Sequence, residues 1–145
     1  KNDFEVILVI GSDNKNEYVY LVNNDIEIIY LHEERQRGIV YKLSSLIRNE
    51  RPDLLFSTLN LNNIILLLSK ALSFQRIPTV VREANNRTQS GQVSNINKII
   101  THILYNFFAN SIISLSKGVE DDLKKNFKII SKKIKIIYNP IDIAT

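Results

Sequence analysis

The richest concentration of chemically capable side chains is one polar run, Arg82-Glu83-Ala84-Asn85-Asn86-Arg87-Thr88-Gln89-Ser90-Gly91. Nearly every side chain in it can donate or accept a hydrogen bond. Carboxylate and amide groups of this kind are the partners that a hydroxyl-rich ligand needs. Composition leaves a second reading equally open: a polar surface loop in which Arg82 and Glu83 are structural. Ser116-Lys117-Gly118-Val119 is a second candidate, because a hydroxyl and unsatisfied backbone N–H groups at a helix N-terminus suit an anion. A plain helix cap accounts for the same residues.

Other chemistries lack their residues. There is no G-x-G-x-x-G or G-x-x-x-x-G-K-[ST], and four glycines could hardly build a phosphate cradle. No H-E-x-x-H occurs. His102 lies among the isoleucines of a helix and reads as structural or surface; His32 follows a strand and reads as exposed. The serines have no G-x-S-x-G setting. With no cysteine, disulfides, thiolate metal sites and cysteine nucleophiles are excluded. Neither a metal site nor a tightly held cofactor is expected.

Charge narrows the partners. The net charge is +4, and the excess gathers late, at Lys117, Lys124, Lys125, Lys128, Lys132, Lys133 and Lys135, partly offset by Glu120, Asp121 and Asp122. Such a run reads first as a solvated helix face and loop, and next as a contact with an anionic membrane surface. Nucleic acid is not expected, since no aromatics interleave the lysines. No apolar run reaches the roughly 18–20 residues of a membrane span, and no signal peptide is visible.

The elements that must position these residues alternate along the chain. Phe4 to Ile10 is a β-branched run closed by Gly11-Ser12, and Ile26 to Leu31 is a second strand. Between them there is room for a turn and one short helix around Glu17 to Leu21. Val40, Leu43, Leu46 and Ile47 keep helical spacing until Pro52. Asp53 to Phe56 reads as a strand, Asn62 to Leu72 as an apolar helix and Thr79 to Arg82 as a strand. Ile96, Ile99, Ile100, Ile103, Leu104 and Phe107 mark an amphipathic helix. Ser111 to Leu115 is a strand. Ser116 caps a helix whose inner face is Val119, Leu123 and Phe127. Lys133 to Tyr138 is the last strand, stopped by Asn139-Pro140. This rhythm predicts βαβ units, hence a doubly wound α/β domain with a mostly parallel sheet covered on both faces. Ligands of such sheets sit beyond the carboxyl ends of the strands, here the loops Gly11–Asn16, Ser57–Asn63, Glu83–Ser94 and Ser116–Gly118.

Two stretches, Ser114-Leu115-Ser116-Lys117-Gly118-Val119-Glu120-Asp121-Asp122-Leu123 and Lys135-Ile136-Ile137-Tyr138-Asn139-Pro140-Ile141-Asp142, resemble the end of the N-terminal domain in the retaining family 4 of GT-B glycosyltransferases. Arg51-Pro52-Asp53-Leu54-Leu55-Phe56-Ser57 looks like that family's P-D-[VI]-[VI] strand opening. Val81-Arg82-Glu83-Ala84-Asn85 looks like its acceptor-loop pattern, often R-E-x-N. The resemblance covers almost the whole chain in the right order.

It implies a Rossmann-like acceptor domain over residues 1–138, with residues 139–145 starting an interdomain hinge. The family's first strand would precede Lys1, and the donor-binding domain would follow Asp142. On that view the strands Phe4–Ile10 and Asp53–Phe56 have unpaired inner edges, and the chain alone is expected to be poorly soluble or molten. The implied reaction moves a sugar from a nucleotide-sugar donor to a hydroxyl of a glycan or lipid-linked acceptor, with no obligatory metal. Glu83, Asn85, Asn86 and Arg87 are then the acceptor contacts, and Ser116 and Gly118 line the cleft near the donor phosphates. Many members have a histidine near the acceptor loop where this chain has Ala84 and Asn85. A cytoplasmic place, peripheral at the inner face of a membrane, follows from the resemblance. The rival readings are a non-enzymatic α/β binding domain and a sugar-nucleotide epimerase of similar architecture.

Overall fold

A computed structural model of the chain describes residues 4–12, 19–88 and 93–139. Ten regular elements alternate: β1 (Ile7–Ile10), β2 (Glu27–Tyr30), α1 (Gln36–Glu50), β3 (Leu55–Thr58), α2 (Asn60–Ser73), β4 (Thr79–Glu83), α3 (Asn95–Phe108), β5 (Ser111–Ser114), α4 (Lys117–Lys125) and β6 (Ile134–Ile136). Every pairing is parallel, as β-branched strands separated by helices require. The short helix expected near Glu17 is a 3₁₀ turn at Val19–Leu21; Glu17 itself lies outside the described residues, as do Asp13–Asn16 of the first candidate loop.

The strands form two pieces, β1-β2 and β3-β4-β5-β6. Among the described residues no strand joins β1 to β3. The pieces are connected through α1, which packs along α2; Ile47 of α1 shares a small core with Leu55, Leu66 and Ile77. Gly11, directly after β1, passes so close to α1 that a Cβ there would lie 2.8 Å from Ile39 Cδ1.

The main core lies on one face of the four-stranded piece. Val81, Ile112 and Ile134 are in register across β4, β5 and β6. They pack against Leu67 of α2, Leu104 and Tyr105 of α3, and Val119 and Leu123 of α4. Alternate residues point the other way. There Phe56 and Lys135 are exposed and Val80, Arg82 and Ile113 half-buried. Coverage of both faces was expected; on this piece the described helices cover one.

α4 follows the sequence pattern closely, with Ser116 Oγ accepting from the Val119 amide and Val119, Leu123 and Phe127 buried. α3 departs from it. Of its six apolar markers only Leu104 is buried, whereas Ile96, Ile99, Ile100, Ile103 and Phe107 are exposed. The inner face is made by Thr101, Leu104 and Tyr105. A helix apolar over more than its contact face must leave one stripe outside.

Candidate functional site

The polar run follows β4 and is fastened at both ends. Glu83 is the last residue of that strand and points to the core side with Val81. Its Oε1 accepts from Arg87 Nη2 at 2.5 Å, from Asn63 Nδ2 at 3.1 Å, and from the Tyr105 hydroxyl. Arg87 also donates to Thr101 Oγ1 at 2.9 Å and to the Tyr105 oxygen at 2.9 Å. Its guanidinium lies over the Tyr105 and Phe127 rings, 5.4 and 5.1 Å from their centroids. Glu83 is 2% exposed and Arg87 6%. A buried ion pair persists only when such bonds replace the lost water. Burial, and after it the Glu83 carboxylate, holds the Tyr105 phenol well above its ordinary pKa, so it stays a neutral donor.

The second fastening comes from α4. Asp122 Oδ2 accepts from the Arg87 amide at 3.0 Å and the Thr88 amide at 3.3 Å, while Oδ1 accepts from Asn126 Nδ2 at 2.6 Å. Burial pushes the Asp122 carboxyl up, but the bonds from Thr88, Asn126 and Arg87 outweigh it and hold the group below its usual value. Asn63 ties in the strand before: it accepts from Ser57 Oγ at 2.6 Å and donates to the Arg82 carbonyl at 3.0 Å.

Between the fastenings, residues 84–86 arch outward. Asn85 is exposed and Asn86 half-buried, its Nδ2 3.5 Å from the Gly118 carbonyl. A shallow depression of about 320 Å³ opens beside them, bordered by Asn86, Thr88, Gly118, Asp121, Asp122 and Lys125. Ser116 is spent on capping α4. Gln89, Ser90 and Gly91 lie outside the described residues.

The six expected site residues therefore divide. Asn86 and Gly118 meet at one surface, and the neighbouring Asn85 is exposed; Glu83 and Arg87 are buried and bonded to each other. Of the four loop residues expected to contact an acceptor, Glu83 and Arg87 are buried, Asn85 is exposed and Asn86 half-buried. Sequence reasoning missed Asn63, Thr101, Tyr105 and Asp122. Asn63 in an apolar helix was a signal, since a buried amide needs partners. Asp122 was read only as an acid partly offsetting the late lysines.

On the opposite sheet face, Arg82 donates to Thr58 Oγ1 at 3.0 Å and to Asn139 Oδ1 at 2.6 Å. The run toward Pro140 is thus tied to β4 at Asn139. Pro140 to Thr145, the rest of the expected hinge, lie outside the described residues. Three of the seven late lysines make bonds among the described residues: Glu120 bonds Lys117 at 2.6 Å and also Lys124, which holds its carboxyl low. Lys133 Nζ bonds the carbonyls of Asn106 at 2.5 Å and Ala109 at 2.7 Å.

The sequence model described as Glycosyltransferase Family 4 matches residues 1–145, the entire chain. The chain belongs to that family. A curated relative is 31% identical over 108 residues, 72% of this chain and 29% of its own length. It is the N-acetylgalactosamine-N,N'-diacetylbacillosaminyl-diphospho-undecaprenol 4-alpha-N-acetylgalactosaminyltransferase of Campylobacter jejuni. Among solved structures, Anabaena HepE in complex with UDP superposes with TM-score 0.71 at 17% identity, over 92% of this chain and 36% of that one. The apo lipopolysaccharide outer core galactosyltransferase WaaB gives 0.65 at 15% identity, over 88% and 34%. These likenesses establish the Rossmann-like α/β fold. The chain spans about a third of the length of the proteins it matches.

Proposed function

We propose that this chain forms the acceptor-side domain of a glycosyltransferase that moves a sugar from a nucleotide-sugar donor to a hydroxyl of a lipid-linked glycan. One observation carries the reading: in a family 4 chain, two buried fastenings hold a polar arch at the carboxyl edge of the sheet, with Asn85 and Asn86 turned to the surface. Amides on a rigid arch bind hydroxyls with little ordering cost, which is how positioning contributes to transfer. Glu83, Arg87 and Asp122 set the shape of the arch from behind, and Gly118 completes its rim.

HepE has been crystallised with UDP-glucose, and the Campylobacter relative is named for a diphospho-undecaprenol acceptor. Both support a hexosyl donor and a lipid-linked acceptor here. Donor phosphates would be held by the remainder of the enzyme together with the backbone of the Ser116–Gly118 edge, and the chain by itself would be inactive. No helix among the described residues is long and apolar enough to cross a membrane. Peripheral attachment at the inner face of a membrane is the corresponding placement.

The test uses the full-length protein, labelled nucleotide-sugars and a short-chain lipid diphosphate glycan. Asn85→Ala with Asn86→Ala should raise the acceptor KM about tenfold or more, the loss of one or two hydrogen bonds, with donor KM unchanged. Unchanged acceptor KM and kcat would remove these residues from the site.

A further inference from the structure

We infer that the depression between the polar arch and α4 is a second saccharide subsite. It takes the sugar ring next to the one that accepts, so the acceptor is a glycan of at least two sugars. The inference rests on the acceptor-side reading above and deepens it.

The two faces of α4 differ in what they do. Val119 and Leu123, with Phe127 beyond the helix end, are buried in the core. Gly118, Asp122 and Asn126 are spaced by four, as are Asp121 and Lys125, so they share the neighbouring side of the helix. All of them border the depression, together with Asn86 and Thr88. Asp122 is spent on the fold, holding the arch amides and the Asn126 Nδ2. Lys125 is exposed and makes no hydrogen bond or ion pair among the described residues. Asp121 reaches only Lys117, at 3.9 Å, and its side chain is 42% exposed. An acid four residues before a lysine on a helix is well placed to pair, and Glu120 does pair with Lys124 at that spacing. Asp121 and Lys125 stay apart, and the depression opens beside both.

The lining selects the ligand. Not one aliphatic or aromatic residue borders the depression, so an acyl chain or a nucleobase finds no wall to lie against. A single ammonium stands against two carboxylates there, so a phosphate gains little. What remains is a set of donors and acceptors side by side. The Lys125 ammonium and the Asn86 amide donate, while the Asp121 carboxylate and Asn126 Oδ1 accept. A neutral sugar ring matches this mixture, because each of its hydroxyls both donates and accepts. The volume of about 320 Å³ lies near the lower bound of small-molecule sites and suits a single ring. Asn86 joins the two subsites. Its contact with the Gly118 carbonyl is 3.5 Å, long enough for a ligand hydroxyl to take over. A ring held at Asn85 and Asn86 therefore has its neighbour over α4.

The experiment uses the full-length protein, labelled nucleotide-sugars and two sets of short-chain lipid diphosphates. One set carries a single hexose or N-acetylhexosamine; the other carries the same sugar as the end of a disaccharide. The kcat/KM for the two-sugar acceptor should be at least about tenfold higher, the contribution of one or two hydrogen bonds to charged groups. Asp121→Asn with Lys125→Gln should bring that ratio down to about one. Because the ratio compares two acceptors on one protein, it does not depend on how much of the protein is folded. Equal turnover of both acceptors by the wild type overturns the subsite, and so does a preference that the double variant retains. If neither acceptor is turned over, the transferase reading fails and the subsite is judged by saturation-transfer NMR. The second ring of the disaccharide acceptor should then show contact with the wild type and lose it in the double variant; contact never seen, or retained, overturns the subsite.

Discussion

The loop edge at Glu83 and the outer face of α3 invert the usual distribution of side chains in opposite directions. At the first, an acid, a guanidinium, a phenol, an amide and a second acid are buried. At the second, four isoleucines and a phenylalanine face outward. The difference lies in what each arrangement does for the fold. Buried polar groups are tolerated only when well bonded, so the first region fixes one loop geometry and is coupled to global stability. Exposed apolar side chains fix nothing within the domain, so the second can be altered almost without the fold noticing. Shape is stored at one place; the other is bare apolar surface.

Glu83→Ala attacks the first region where it is most vulnerable. Leaving Arg87 buried without its carboxylate should cost about 3–5 kcal/mol, read from urea unfolding of the full-length protein. A loss below about 1 kcal/mol would mean that the network does not hold the loop. Asp122→Asn should cost less, about 1–3 kcal/mol, because one amide contact can persist. It also has a pH signature. The folded carboxyl is held below its ordinary value, so its stabilisation is complete above the unfolded pKa of about 3.9 and vanishes as pH falls through the lower folded value. Wild type and Asp122→Asn should therefore converge in acid; a constant gap would assign the effect to packing. Ile99→Gln with Ile103→Gln should change stability least, within about 0.5 kcal/mol per site. A larger loss would make the α3 stripe part of a core and remove the contrast.

The sequence carried the alternation of elements, the parallel pairing and the cap at Ser116, because each depends on local spacing. It carried the position of the polar run as well. It did not carry which of that run's side chains turn inward. Glu83 and Arg87 are four residues apart outside any helix, and their pairing depends on Tyr105 and Asn63, contributed by two other elements. The α3 stripe misled for a related reason. Helical periodicity reports that apolar residues share a face, while only the neighbours of the helix determine whether that face is covered. Ile96 and Leu104 are equally apolar, and the packing of α2 and β5 separates them.

Arg82 and Glu83 are adjacent on β4, so their side chains leave opposite faces of the sheet. One holds Asn139 and the other holds the arch. Their Cα atoms are about 3.8 Å apart across a rigid peptide plane. The Asn139 contact and the polar loop are thus two ends of a very short crossbar through the sheet. Asn139 and the polar loop are therefore fastened to consecutive residues of one strand, with no other element between them.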